Sequence, residues 1–181
     1  MSAELAVSVV ALVVSALALG LSVFFWRRQF RPIVTAMVQT HHGGSDGIAY
    51  NLVVLNSGSI PARNIRLVVR DRAALEAALG AGADEESRGL WLSCFDPSKV
   101  IRLLQNSAQT TCSFGLTHRS LKKSFWKADA QFPIHVEYEG WFGERHRDDP
   151  PNILQIADSD SFTGGMWGPV KRVGGGRIEH E

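Results

Sequence analysis

Apolar positions along this chain follow two patterns, and the change between them comes at residue 27. Residues 5–26 carry no charged side chain and show no polar face. Beyond them, apolar residues alternate with polar ones in short runs, separated by Gly, Pro, Asn, Asp and Ser. The first pattern predicts a helix surrounded by lipid. The second predicts half-buried β-strands.

A bilayer core of about 30 Å needs roughly 20 apolar residues in helical form, and residues 5–26 meet that length. Phe24, Phe25 and Trp26 close the run where an interfacial aromatic belt belongs, and Arg27, Arg28 and Arg31 follow at once. The charge asymmetry predicts the N-terminus outside and the rest of the chain cytoplasmic. A cleaved signal peptide is the competing reading. It would lack basic residues before its apolar run, and the run exceeds the 7–15 residues usual for such a segment. The small residues Ser8, Ala11, Ser15, Ala18 and Ser22 recur at spacings of three and four, which places them on one helical stripe. Such a stripe suits close helix approach, in a homodimer or against a partner's helix. It also matches the Ala and Ser content common in membrane helices.

After Pro32, alternation predicts strands over residues 33–41, 48–56, 64–70, 109–116, 132–140 and 152–157. Residues 48–56 are apolar on both faces, as in a central strand. In residues 64–70, Ile65, Leu67 and Val69 point inward while Arg66, Val68 and Arg70 point outward. In residues 132–140, Ile134, Val136 and Tyr138 face one way and His135, Glu137 and Glu139 the other. Residues 41–46 read as a hairpin turn. Residues 73–80 predict a short helix ended by Gly80, residues 82–87 an acidic loop, and residues 90–95 an edge strand. Residues 100–104 are a short apolar run. Residues 120–130 are basic and predict a helix with Leu121 and Phe125 on one stripe. Short strands with little helix predict a mainly β fold: an antiparallel β-sandwich with one N-terminal transmembrane helix and a short helical insert. The chain then divides into an anchor and basic flank (1–30), a sandwich domain (31–157) and a Gly-rich mobile tail (158–181), in which Trp167 could dock on the domain or on a partner.

Composition sharpens this only a little. A net charge of +1 argues against nucleic acid as a partner. The two cysteines, Cys94 and Cys112, have no metal-ligand spacing. In a cytoplasmic domain they are expected reduced and packed as small apolar residues. With the opposite topology they become a candidate disulfide.

The segment Asn56-x-Gly58-x-x-x-Ala62-x-Asn64, followed by Ile65-Arg66-Leu67, resembles the loop and strand of bacterial immunoglobulin-like (CARDB-like) modules. Gly58 is expected at positive φ in the loop, Asn56 bonded back to turn backbone, and Ala62 at the sandwich rim. Tyr138-Glu139-Gly140-Trp141-Phe142-Gly143 is similar to a closing hairpin of small membrane-anchored bacterial proteins of unknown function. The resemblance spans roughly residues 31–156. It implies an immunoglobulin-like sandwich held at a bacterial inner membrane, and implies no activity.

Candidate chemistry is sparse. No nucleophile elbow, phosphate loop or dinucleotide fingerprint is present, and no cofactor is expected. His41, His42 and Asp46 share one turn and are the candidate metal ligands, although adjacent histidines in a strand point to opposite faces. His135 with Glu137 and Glu139 could form an acid–base cluster or a solvated face. The basic run 118–127 could lie on an anionic leaflet, or its aromatics could cap the core. The expectation is therefore a non-enzymatic, single-pass interaction module that meets the bilayer and a protein partner. Arg66, Arg70, Trp141 and Phe142 are its candidate contact residues. The alternatives are an accessory subunit of a membrane complex that docks through its helix, and a metal-binding or hydrolytic domain built on His41, His42 and Asp46.

Overall fold

The computed structural model describes residues 3–157. The tail from residue 158, Trp167 included, lies outside them. Helix α1, Ala3–Gln29, is apolar all round. Its stretch Val7–Arg27 is long and apolar enough to cross a membrane, and none of it is buried against the rest of the chain. Two of its serines return their hydroxyls to the helix itself: Ser8 Oγ donates to Glu4 O at 2.9 Å and Ser22 Oγ to Ala18 O at 2.8 Å. A hydroxyl satisfied in this way costs little in hydrocarbon.

Two antiparallel sheets follow. The first joins β1 (Val34–Gly43), β2 (Gly47–Asn56) and β5 (Gln109–His118) in the order β1-β2-β5. The second runs β4-β3-β6-β7, from β4 (Ile101–Leu104), β3 (Ala62–Val68), β6 (Gln131–Glu139) and β7 (Arg145–Arg147). β8 (Asn152–Gln155) pairs with the first half of β6. One hydrophobic cluster joins the inner faces of both sheets, with Tyr50, Leu52 and Val54 from the first and Ile65, Ile134 and Val136 from the second. β2 is the middle strand that its two-faced apolar pattern predicts: Val53 and Leu55, on the face opposite Tyr50, are buried too. The 64–70 alternation also holds, with Ile65 and Leu67 buried and Arg66 and Arg70 exposed.

Trp126 is the centre of the aromatic core. It is fully buried, stacks on Phe132 at 5.4 Å, lies 4.8 Å from Phe114 and meets Phe125 edge-on at 4.9 Å. Its indole N–H donates to Phe114 O, so burial leaves no orphaned donor. Gly115, at φ +78°, is required beside it. A side chain there would be strained by the backbone and would also strike the Phe125 ring.

Four expectations are corrected. Residues 90–95 are not a strand. Helix α3, Glu85–Trp91, and a 3-10 turn, Ser93–Phe95, occupy that stretch and most of the expected acidic loop. The side chain of Asp84 caps α3 by accepting from Ser87 N at 2.8 Å, and Glu85 and Glu86 occupy its first turn, where the helix dipole favours anions. Residues 120–130 hold only one 3-10 turn, Leu121–Lys123. Leu121 is 77% exposed while Phe125 is buried, so the two share no stripe and the aromatics serve the core. The helix α2, Arg72–Ala78, ends on an extended Leu79. Gly80 is needed instead because its backbone passes against Ser124 O, where no Cβ fits. β7 was unforeseen: its Arg-His-Arg sequence carries no apolar alternation.

In the Asn56–Asn64 segment, Asn56 bonds back to loop backbone as expected, while Gly58 departs from the expectation. Asn56 is fully buried and satisfied at both ends of its amide. Oδ1 accepts from Ile33 N (3.2 Å) and Gly58 N (3.0 Å), and Nδ2 donates to Ile60 O (2.8 Å) and Leu104 O (3.2 Å). One side chain thus ties the entry of β1 to the end of β4. Gly58 does not supply a positive φ. It lets the loop pass against the backbone of residues 31–33. The left-handed residue is Asn64, at φ +51°, where the β3–β6 register breaks. Ala62, the first residue of β3, is fully buried.

Candidate functional site

Among the described residues strands β4 and β5 are edges of their respective sheets; α3 packs against β5, and its following turn against β3. An open cleft of about 1290 Å³ lies along this side, between the outer part of β3–β4, the β7 end of the second sheet and the β5 edge of the first. Six cations line it: Arg63, Arg66, Lys99, Arg102, Arg145 and Arg147. Among the described residues only two carboxylates line the cleft with them, Glu137 and Glu139. Both carboxylates are already engaged. Glu137 pairs with Arg70 at 3.6 Å, and Glu139 pairs with Arg145 at 3.8 Å and accepts from Asn64 Nδ2 at 2.7 Å. Arg66, Lys99 and Arg102 form no ion pair within the described residues. The cleft therefore presents uncompensated positive charge and suits an anionic occupant.

The expected contact residues separate into two places. Arg66 lines the cleft, and Arg70 lies just outside it on Glu137. Trp141 and Phe142 sit on the turn between β6 and β7, where Gly140 N donates to Glu144 O at 2.7 Å and Gly143 takes φ +83°. Both rings are about half exposed, at 51% and 50%. The Arg63 guanidinium stands over Trp141 at 5.7 Å, and Phe142 meets Trp26 at 5.7 Å and Arg27 at 5.6 Å. The turn thus rests against the C-terminal end of α1. On α1 itself, Ala11 and Ser15 line a shallow groove with Val7, Val10 and Val14. Ser8, Ala18 and Ser22 continue the stripe on the exposed helix surface.

The histidine candidates do not converge. β1 runs on through Gly43, so His41 and His42 are strand residues at its exposed end, with a bulge between Thr40 and His42. Asp46 lies in the turn beyond. Among the described residues no group of three or more His, Cys, Asp or Glu is placed to hold a metal ion. His135 packs against Arg147, with Nη2 of Arg147 3.0 Å from Nε2, and its Nδ1 lies 3.3 Å from Asp148 O. Arg147 Nε also donates toward Nδ1 at 3.3 Å, so no single neutral tautomer serves all three contacts. Its ring nitrogens are therefore both engaged in structural contacts. Burial holds the neighbouring Asp148 carboxyl above its usual range.

The structure also brings the two cysteines together. Cys94, on the 3-10 turn, and Cys112, on β5, both line the cleft, near enough for each thiol to shift the other's titration. The neighbouring Cys112 thiol, and then burial, push the Cys94 titration up, while the Cys94 thiol lowers that of Cys112 against the opposing effect of its burial. Cys112 is exposed, whereas Cys94 is half-buried with Sγ 3.6 Å from Trp91 O. Seventeen residues of intervening chain hid this pair from the sequence, as did the unforeseen α3. Arg102, Arg145 and Arg147 were likewise missed as cleft residues, because their convergence depends on which strands are neighbours.

No curated protein and no solved structure matches the chain. A family model described as a domain of unknown function, DUF8453, matches residues 1–155, which take in α1 and all the strands, and the chain belongs to that family.

Proposed function

We propose that this chain is a single-pass, membrane-anchored interaction module, non-enzymatic, with an immunoglobulin-like sandwich on the cytoplasmic side. The observation that carries the reading is the cationic cleft: six cations against two engaged carboxylates, open to solvent on the edge side of both sheets. An acidic segment of a protein partner fits that surface by charge, and the unpaired edge of β4 or β5 would accept it as an added strand. The apolar α1 supports anchoring, and the Trp141–Phe142 turn against Trp26 supports a domain held close to the lipid headgroups.

The test is photo-cross-linking in the native membrane, with a cross-linking amino acid placed in the full chain at 66, at 102 and, as a control away from the cleft, at exposed Leu121. The expected result is one protein adduct at 66 and 102, absent at 121, and lost when the remaining cleft arginine is reversed to Glu. Equal yields at all three positions would count against the cleft as the binding face.

The groove over Ala11 and Ser15 favours a second reading, an accessory subunit or homodimer that docks through α1. Ala11→Leu with Ser15→Leu should then abolish cross-linked assembly, and unchanged assembly removes this reading.

A further inference from the structure

The cleft contains a feature that partner binding does not use: the chain's only two cysteines, from separate elements, side by side among the cations. We propose that Cys94 and Cys112 form a thiol–disulfide exchange site in this cleft, and that its co-substrate is a small disulfide bearing carboxylates. Three observations carry the assignment. First, both thiols open on one cleft from elements that pack together, the 3-10 turn that follows α3 and strand β5, and each shifts the other's titration. Second, they are unequal. Cys112 is exposed and Cys94 half-buried, which makes Cys112 the attacking sulfur and Cys94 the resolving one. Third, the cations that share the cleft select the charge of what approaches Cys112.

The exchange balances in two steps. The Cys112 thiolate attacks one sulfur of the small disulfide and that S–S bond breaks. One small thiolate leaves and takes the proton of Cys94. The Cys94 thiolate then attacks the Cys112 sulfur of the mixed disulfide. A Cys94–Cys112 bond forms and the second small thiolate leaves, protonated by water. The protein is oxidised by two electrons, and the small disulfide is reduced to two thiols. In a reducing cytoplasm the resting form is the dithiol.

The test uses the full chain in mild detergent, with glutathione disulfide as the anionic probe and cystamine as the cationic one. Each rate is divided by that of the same disulfide with N-acetylcysteine, which removes intrinsic reactivity. The intact mass and a peptide map give the product. The expected product is the intramolecular Cys94–Cys112 disulfide with no small thiol attached, and Cys94→Ser should instead retain glutathione on Cys112. The normalised rate should favour glutathione disulfide by about tenfold, the low end of electrostatic steering, and the preference should collapse in 1 M salt. A wild-type product with glutathione on Cys112 and a free Cys94, or no reaction at either thiol, overturns the exchange site. Equal normalised rates for the two probes overturn the assigned co-substrate. The wild-type result decides the first question even if a variant folds poorly.

Discussion

At the scale of single residues, Asn56 has the most to lose. Its amide is fully buried and makes four hydrogen bonds to backbone on three different segments. Asn56→Ala orphans two backbone donors and two acceptors at once. With about 1–3 kcal/mol for each buried group left unsatisfied, and water able to reach part of the loop, we expect a loss of about 3 kcal/mol or more, read from urea unfolding. Asn56→Asp keeps the shape but cannot donate when ionised, and it faces two carbonyls without a cation. Burial would raise its folded titration above the unfolded value. Stability should therefore be higher below the unfolded pKa and fall as pH rises through the folded one, a trend absent from the parent protein's Asn56. A melting temperature for the Asp variant that does not fall between pH 4 and pH 8, relative to the parent, would count against this account.

At the scale of elements, α3 is the informative case. It has only seven residues, and its existence depends on its start. Hydrogen bonds from Ser87, the backbone one first, hold the Asp84 carboxyl below its usual value of 3.8. Its capping contribution is therefore complete above that value and is lost as pH falls through the depressed one. Carbon chemical shifts of residues 85–91 should move toward coil between pH 5 and pH 2. In Asp84→Asn, which caps comparably without ionising, they should stay in place over the same range. The contact between α1 and the β6–β7 turn makes a second prediction. An aromatic pair contributes about 0.5–1.5 kcal/mol beyond its burial. Trp141→Ser with Phe142→Ser should therefore raise tryptic cleavage after Arg27, which stands over the Phe142 ring, several-fold in membranes while leaving the unfolding midpoint of the domain nearly unchanged, because both rings are half exposed. An unaltered cleavage rate would show that the turn does not hold the domain against the helix.

At the scale of the whole molecule, topology decides which solution meets the cleft and its thiols. The proposed orientation predicts that Cys94 and Cys112 resist a membrane-impermeant maleimide in intact cells and react after lysis, with Cys112, the exposed one, reacting first. Labelling in sealed cells would place the domain outside and make the disulfide its resting state. The same orientation sets the cationic cleft on the side where anionic lipid headgroups are found, so high salt should weaken partner capture there more than any apolar contact.

The helix α1 and most strands were legible along the chain, because hydropathy and period-2 alternation are local properties of residues near one another. The middle position of β2 followed from its two apolar faces, and Ile65, Leu67, Ile134 and Val136 followed from alternation. Where local signals conflicted, the reading failed. Leu90 to Phe95 looked extended, yet the acidic start at Asp84, Glu85 and Glu86 set a helix running through Trp91. Gly58 and Gly80 suggested special dihedrals, yet each serves a close backbone approach that only folding creates. The sequence alone determined that an uncharged helix precedes a mainly β chain, since both follow from how water excludes apolar side chains. Tertiary structure alone decided the candidate site. The neighbours of β3, β5 and β6, and the place where α3 packs, are long-range choices, and they brought Arg66, Arg102 and Arg147 around one cleft and set Cys94 against Cys112.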